Sequence, residues 1–116
     1  MAEQIEKLSS SAVESALAAM PDWNGVGETI QRTYQFKDFV TAMQFVGQVA
    51  QHAEAVQHHP DIMIRYSKVT LTYSTHDAGG LTVKDFDAAK KADEIAAPLP
   101  GAPKAAATAK ATKKKK

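Results

Sequence analysis

Residues 56–75 read VQHHPDIMIRYSKVTLTYST, and the parsing of this stretch decides the fold. Proline disfavours helical backbone at the residue before it, so a helix arriving from the N-terminal side stops ahead of His58-His59-Pro60. Beyond the proline, Ile62, Ile64 and Tyr66 alternate with their neighbours, and then Val69, Leu71 and Tyr73 do so in the other parity. The change of phase near Ser67-Lys68 predicts a tight turn or a bulge between two strands. Thr70, Thr72 and Ser74 make the opposite face of the second strand polar. A sheet with one apolar and one polar face is antiparallel, with helices on one side only.

Upstream, Asp38 is a candidate N-cap for a long helix reaching about Val56. Phe39, Ala42, Val46, Val49, Ala53 and Val56 form its apolar stripe, with Met43 and Ala50 in support. Before it, residues 28–36 alternate as a strand: Ile30, Tyr34 and Phe36 share one face, while Thr29, Gln31, Thr33 and Gln35 share the other. Arg32 breaks the apolar face, which predicts a place near a sheet edge. Trp23-Asn24-Gly25-Val26-Gly27 is turn-rich, and Trp23 is a candidate start for a short partner strand across the glycine turn. Helical spacing from Gln4 to Met20 (Ile5, Leu8, Ala12, Val13, Ala16, Leu17, Met20) predicts a first helix ended by Pro21-Asp22. Downstream, His76 to Gly80 reads as a loop, with Gly79-Gly80 as a turn. Thr82 and Asp85 form a capping-box pattern that opens a last helix ending at Pro98. The expected architecture is α+β: a four-stranded antiparallel sheet with helices packed on one face, in the order α-β-β-α-β-β-α.

The formal net charge of +1 conceals two unlike parts. Residues 1–97 carry 8 basic and 13 acidic side chains, a net −5, whereas residues 98–116 carry 6 lysines and no acid. The expected organisation is one domain over 1–97 and a disordered basic tail over 98–116, rich in Ala, Pro and Lys. An acidic body argues against a fold built to grip phosphate backbones. The lysine tail alone could contact nucleic acid or another anionic surface, or act as a nuclear address if the source is eukaryotic. The 116 residues include no cysteine, which excludes a disulfide framework and thiolate metal sites. Neither a membrane-length apolar run nor a signal-peptide pattern occurs, so a soluble, cytoplasmic protein is expected.

Three histidines fall at the ends of elements: His58 and His59 after a helix, His76 after a strand. Imidazole titrates near neutrality and exchanges protons without extreme tuning. Glu54 stands one helical turn before His58, within reach of orienting its ring. Asp85 lies near the loop that carries His76. Convergence of these groups would suit proton transfer on a polar heterocycle. The structural alternatives are a polar helix-ending loop for the histidine pair, a capping role for Asp85 and a surface charge for Glu54. Tyr66 and Tyr73 read as sheet core. His52 and His58 are six apart, unlike the i, i+4 spacing of zinc-binding helices, so no metal site is expected.

The run Glu54, His58-His59-Pro60, Tyr66, His76 and Asp85, with Phe36-Lys37-Asp38-Phe39 and Ser74-Thr75-His76-Asp77 around it, resembles the signature of the pterin-4a-carbinolamine dehydratases. The similarity covers roughly residues 5–97. It implies dehydration of 4a-hydroxytetrahydropterin to the quinonoid dihydropterin in tetrahydrobiopterin recycling, with neither metal nor organic cofactor. His58 and His76 would serve as general acid and base, His59 would bind and orient the pterin, Glu54 would support the histidines, and Asp85 would join the catalytic group. Groups of His58, His59, Pro60, Thr75, His76, Asp77 and Ala78 would line the substrate site. Ile62 stands where family members often carry an aromatic residue, and Gln57 where they are often acidic. The resemblance also implies a homodimer or homotetramer. Its alternative role is non-enzymatic, as a dimerisation cofactor of a transcription factor or an assembly chaperone.

Overall fold

The structure, a computed structural model, describes residues 6–100. Its elements are α1 (Ser10–Ala18), β1 (Asn24–Val26), β2 (Thr29–Gln35), α2 (Phe39–Val56), β3 (Asp61–Arg65), β4 (Lys68–Tyr73), a 3-10 turn at His76–Ala78 and α3 (Val83–Ala96). The strands form one antiparallel sheet in the order β1-β2-β4-β3. The expected architecture and element order are thus observed.

The change of parity in the 56–75 stretch is a two-residue hairpin turn. Arg65 pairs with Lys68, so Ile64 faces Val69 and Ile62 faces Leu71 on one side of the sheet. Tyr66 occupies the turn with a positive φ of 55° and is 68% exposed, not in the sheet core as its place in the alternation suggests. On the covered face, Ile30 meets Tyr73 and Tyr34 meets Val69 across β2 and β4, all essentially buried. The other face is laced by hydroxyls: Thr33 and Thr70 lie 2.7 Å apart, and Gln31 Nε2 donates to Thr72 Oγ1 at 3.2 Å.

Asp38 caps α2 as expected, accepting from the Thr41 amide at 2.9 Å. The buried stripe of α2 runs through Ala42, Phe45, Val49 and Ala53, whereas Phe39, Met43 and Val56 are exposed. Each large side chain fully buried here contributes about 1.5–3 kcal/mol. The first helix is shorter than its periodicity predicts. Ser9 caps it by accepting from the Ala12 amide, while the Leu8 amide is committed to the Leu81 carbonyl at 2.8 Å, which holds the preceding chain outside the helix. The part of that expectation resting on Gln4 and Ile5 lies outside the described residues.

Arg32 is on an interior strand rather than an edge, although the β1 ladder stops at Gln31, one residue short of it. Its guanidinium is accommodated by an ion pair with Asp93 at 2.8 Å and lies over the Tyr34 ring. At the C-terminal end, Leu99 packs against the core and Pro100 accepts from the Lys37 amide, so packing extends past Ala97. The rest of the expected basic tail, 101–116, lies outside the described residues. Among the described residues, no helix is long and apolar enough to cross a membrane.

Candidate active site

The site begins with the way α2 ends. Gln57 adopts the left-handed conformation (φ 56°), its side chain donates to the Glu54 carbonyl, and the His58 amide reaches back to the Ala53 carbonyl. A left-handed residue at this position reverses the chain sharply. The two following imidazoles therefore part. The His58 side chain is 10% exposed and directed inward, while that of His59 is 52% exposed.

His58 Nε2 lies 2.7 Å from Asp85 Oδ1, and the imidazole stacks on Tyr73 with ring centroids 6.0 Å apart. His59 Nε2 lies 2.7 Å from Glu54 Oε2. These pairings differ from the simplest reading of the spacing, in which Glu54 serves His58 and Asp85 belongs with the His76 loop. The reason is the turn at Gln57: it swings His58 under the helix toward α3 and leaves His59 beside the solvent face that carries Glu54.

Asp85 is fully buried. Its Oδ2 accepts from the Thr75 hydroxyl at 2.8 Å and from the Thr82 amide at 2.9 Å, and the two threonine hydroxyls lie 2.8 Å apart. The capping box expected from Thr82 and Asp85 is present, and the same carboxylate also holds His58. The capping and site readings of Asp85 are thus compatible. Among the described residues, no buried side-chain nitrogen or oxygen lacks a partner.

Thr75 also closes the next loop, since its amide and carbonyl bridge to Gly80. This leaves His76, Asp77 and Ala78 as a short turn ended by Gly79 at φ 79°. His76 and Asp77 are exposed, Ala78 and Pro60 are half-buried, and the His76 imidazole has no hydrogen-bond partner among the described residues. A cavity of about 370 Å³ opens between α2 and α3, lined by His52, Val56 and His58 on one side and by Lys84, Ala88 and Lys91 on the other. That volume is within the range of small-molecule sites, about 300–1,000 Å³. Among the described residues, no group of three or more His, Asp or Glu side chains is placed to hold a metal ion.

A family model described as Pterin 4 alpha carbinolamine dehydratase matches residues 6–95. The chain belongs to this family. A protein of Cyanothece sp. named "Putative pterin-4-alpha-carbinolamine dehydratase" is 50% identical over 88 residues, which is 76% of this chain and 91% of that protein. One of the same name from Roseiflexus sp. is 51% identical over 89 residues, covering 77% and 96%. The crystal structure of a transcriptional coactivator/pterin dehydratase from Brucella melitensis superposes with a TM-score of 0.75 at 38% identity, covering 78% of this chain and 98% of that one. A pterin dehydratase-like protein described as a RuBisCO assembly factor shares the fold at a TM-score of 0.55 and 18% identity.

In this dehydratase-family chain, the neighbour of His58 that sequence reasoning missed is Tyr73, read as core alone. Leu71, Tyr73 and Thr75 share the covered face by the period of two, so a hydroxyl-bearing residue at the end of an apolar row was the available signal. Burial first, and then the charges of Asp85 and Asp93, push the Tyr73 hydroxyl up to about 12. Tyr34 is pushed up as well, by burial foremost and then by the charge of Asp93. A group raised in the fold above its unfolded value of about 10 leaves stability intact below that pH and removes it as pH climbs toward the folded value. The thermal unfolding midpoint is therefore expected to decline from about pH 10 upward. Tyr73→Phe should flatten that decline while preserving the stack on His58, and an unchanged slope would show that Tyr73 does not take part.

Proposed function

We propose that this chain is a hydro-lyase that dehydrates 4a-hydroxytetrahydropterin to the quinonoid dihydropterin by histidine general acid/base catalysis, in the recycling of tetrahydrobiopterin. The observation that carries the reading is the pairing of each member of the histidine pair with its own carboxylate, His58 with Asp85 and His59 with Glu54. Family membership supports a pterin as the substrate class. In the reaction the C4a–O bond breaks, the hydroxyl takes a proton and leaves as water, and a ring N–H gives up its proton. Hydroxide is a poor leaving group, and each well-placed proton transfer typically contributes ~10²–10⁴-fold. His58, fixed by Asp85 and Tyr73, suits one transfer, and the exposed His76 suits the other. His59, hydrogen-bonded to Glu54 at the surface, suits binding and orientation of the pterin.

The test is stopped-flow decay of freshly generated 4a-hydroxytetrahydropterin. Acceleration over the uncatalysed decay is expected, and none at all would overturn the reading. The description of the Brucella protein as a transcriptional coactivator motivates a second reading, a binding module. A stoichiometric protein partner without pterin turnover would favour it.

The same proposal includes self-association as a dimer or tetramer. Edge strand β3 exposes Met63 at 51%, and the exposed Tyr66 ring stacks on the exposed Phe39 beside it. An open edge with apolar side chains is a template for pairing with a second chain. Sedimentation should therefore give a mass above one chain, and Met63→Lys should shift it toward monomer. A wild-type monomer at working concentration would remove the idea.

A further inference from the structure

The hydrogen bonds around Asp85 can be followed proton by proton. A backbone amide only donates, so the Thr82 N–H gives its proton to Oδ2. The Thr75 hydroxyl has one proton and places it on the same oxygen. Its contact with Thr82 Oγ1 must therefore be donated by Thr82, whose oxygen in turn accepts from the Lys84 amide at 3.2 Å. Each hydroxyl then gives one proton in a single direction, from Thr82 to Thr75 to Asp85. Both donors into Oδ2 favour a carboxylate that only accepts. The remaining oxygen, Oδ1, faces His58 Nε2 at 2.7 Å and takes a proton from it.

Resting on the dehydratase reading for its chemical consequence, we infer that Thr75 and Thr82 are positioning residues that act through Asp85 to hold neutral His58 with its proton on Nε2, which makes Nδ1 the atom that exchanges protons with the pterin. In neutral imidazole one nitrogen donates and the other accepts, and the partner of the first selects the role of the second. Nδ1 has no hydrogen-bond partner among the described residues, and it is not among the atoms buried without one. Its lone pair is accessible. Tyr73, stacked on the ring at 16° between planes, limits rotation that would exchange the two nitrogens. This assigns the Thr75 side chain to Asp85 rather than to the substrate and leaves only its backbone beside the loop that carries His76.

The test reads the tautomer in the free protein by long-range proton–nitrogen correlation on ¹⁵N-histidine-labelled material, at a pH where the imidazole is neutral. Wild type should show Nε2 as the protonated nitrogen and Nδ1 as the bare one. Asp85→Asn gives the sharpest contrast. Its amide oxygen is needed by the Thr82 amide and the Thr75 hydroxyl, so its NH₂ faces His58, Nε2 becomes an acceptor and the proton moves to Nδ1. A histidine held in the wrong tautomer costs on the order of 10⁴-fold in kcat, with the geometry otherwise kept. KM should change little. Thr75→Val removes one of the two donors that hold Oδ2; the carboxylate still only accepts, so Nε2 should keep its proton, but kcat should fall roughly ten- to hundredfold, the scale of one hydrogen bond to a charged group. Thr75→Ser should restore the rate.

A bare Nε2 in wild type, or an Asp85→Asn protein that keeps its proton on Nε2, overturns the inference. The spectrum needs no pterin. Absence of turnover beside the expected tautomer would therefore sink the dehydratase reading and leave the assignment of the proton standing.

Discussion

His76→Ala is expected to lower kcat for pterin dehydration by ~10²–10⁴-fold, the loss of one proton-transfer group, with an unfolding midpoint close to wild type. The second half of that expectation follows from its surroundings. His76 is exposed, and its ring has no hydrogen-bond partner among the described residues. Surface substitutions away from such contacts usually stay within about ±0.5 kcal/mol. His58→Ala should lose turnover on the same scale but also stability. Its side chain is 10% exposed and satisfies Oδ1 of a fully buried carboxylate. Stranding that oxygen costs roughly 1–3 kcal/mol or more. Turnover per folded molecule, measured well below the melting transition of each variant, separates chemistry from folding. Wild-type turnover in both variants would end the proposal of histidine catalysis.

The contrast between these histidines shows what a sequence can and cannot state. The elements were legible because their signals are local: the switch of parity at Ser67, the cap at Asp38 and the capping box at Thr82 each act within a few residues. The pairing of charges was not. Glu54 is four residues from His58 and five from His59, and helical spacing favours the nearer partner. The left-handed turn at Gln57 reverses the choice, and glutamine carries no strong signal for that conformation. Asp85 reaches His58 across 27 positions, a distance only the assembled sheet closes. Tyr66 fails for a related reason, since alternation does not announce where a strand ends and its turn begins. Arg32 looked out of place on an apolar face because its partner, Asp93, is 61 residues away.

That last pair carries the largest expected effect on stability. Asp93 Oδ1 accepts from Arg32 at 2.8 Å, from the Tyr34 hydroxyl at 2.5 Å and from Trp23 Nε1 at 3.2 Å, so three side chains converge on one oxygen. Asp93→Ala leaves the guanidinium, 9% exposed, with only Asp22 at 3.6 Å for a counter-charge among the described residues. Breaking such a pair by removing one partner typically costs about 3–5 kcal/mol, because the surviving charge stays buried. Asp93→Asn should cost less: its carbonyl can take the place of Oδ1 and keep the three donors, although its NH₂ then replaces Oδ2, which the Trp23 indole N–H also reaches at 3.2 Å. The double variant Arg32→Met with Asp93→Ala should recover part of the single variant's loss, since no uncompensated charge remains. Denaturant unfolding of the four proteins gives this order directly. Equal losses for Asn and Ala would mean that the charge, not the acceptor geometry, holds the cluster. Among the described residues Asp93 hydrogen-bonds to neither His58 nor Asp85, so each variant should turn over pterin at near wild-type rate while folded. A matching loss of activity would instead tie this cluster to the site at the other end of α3.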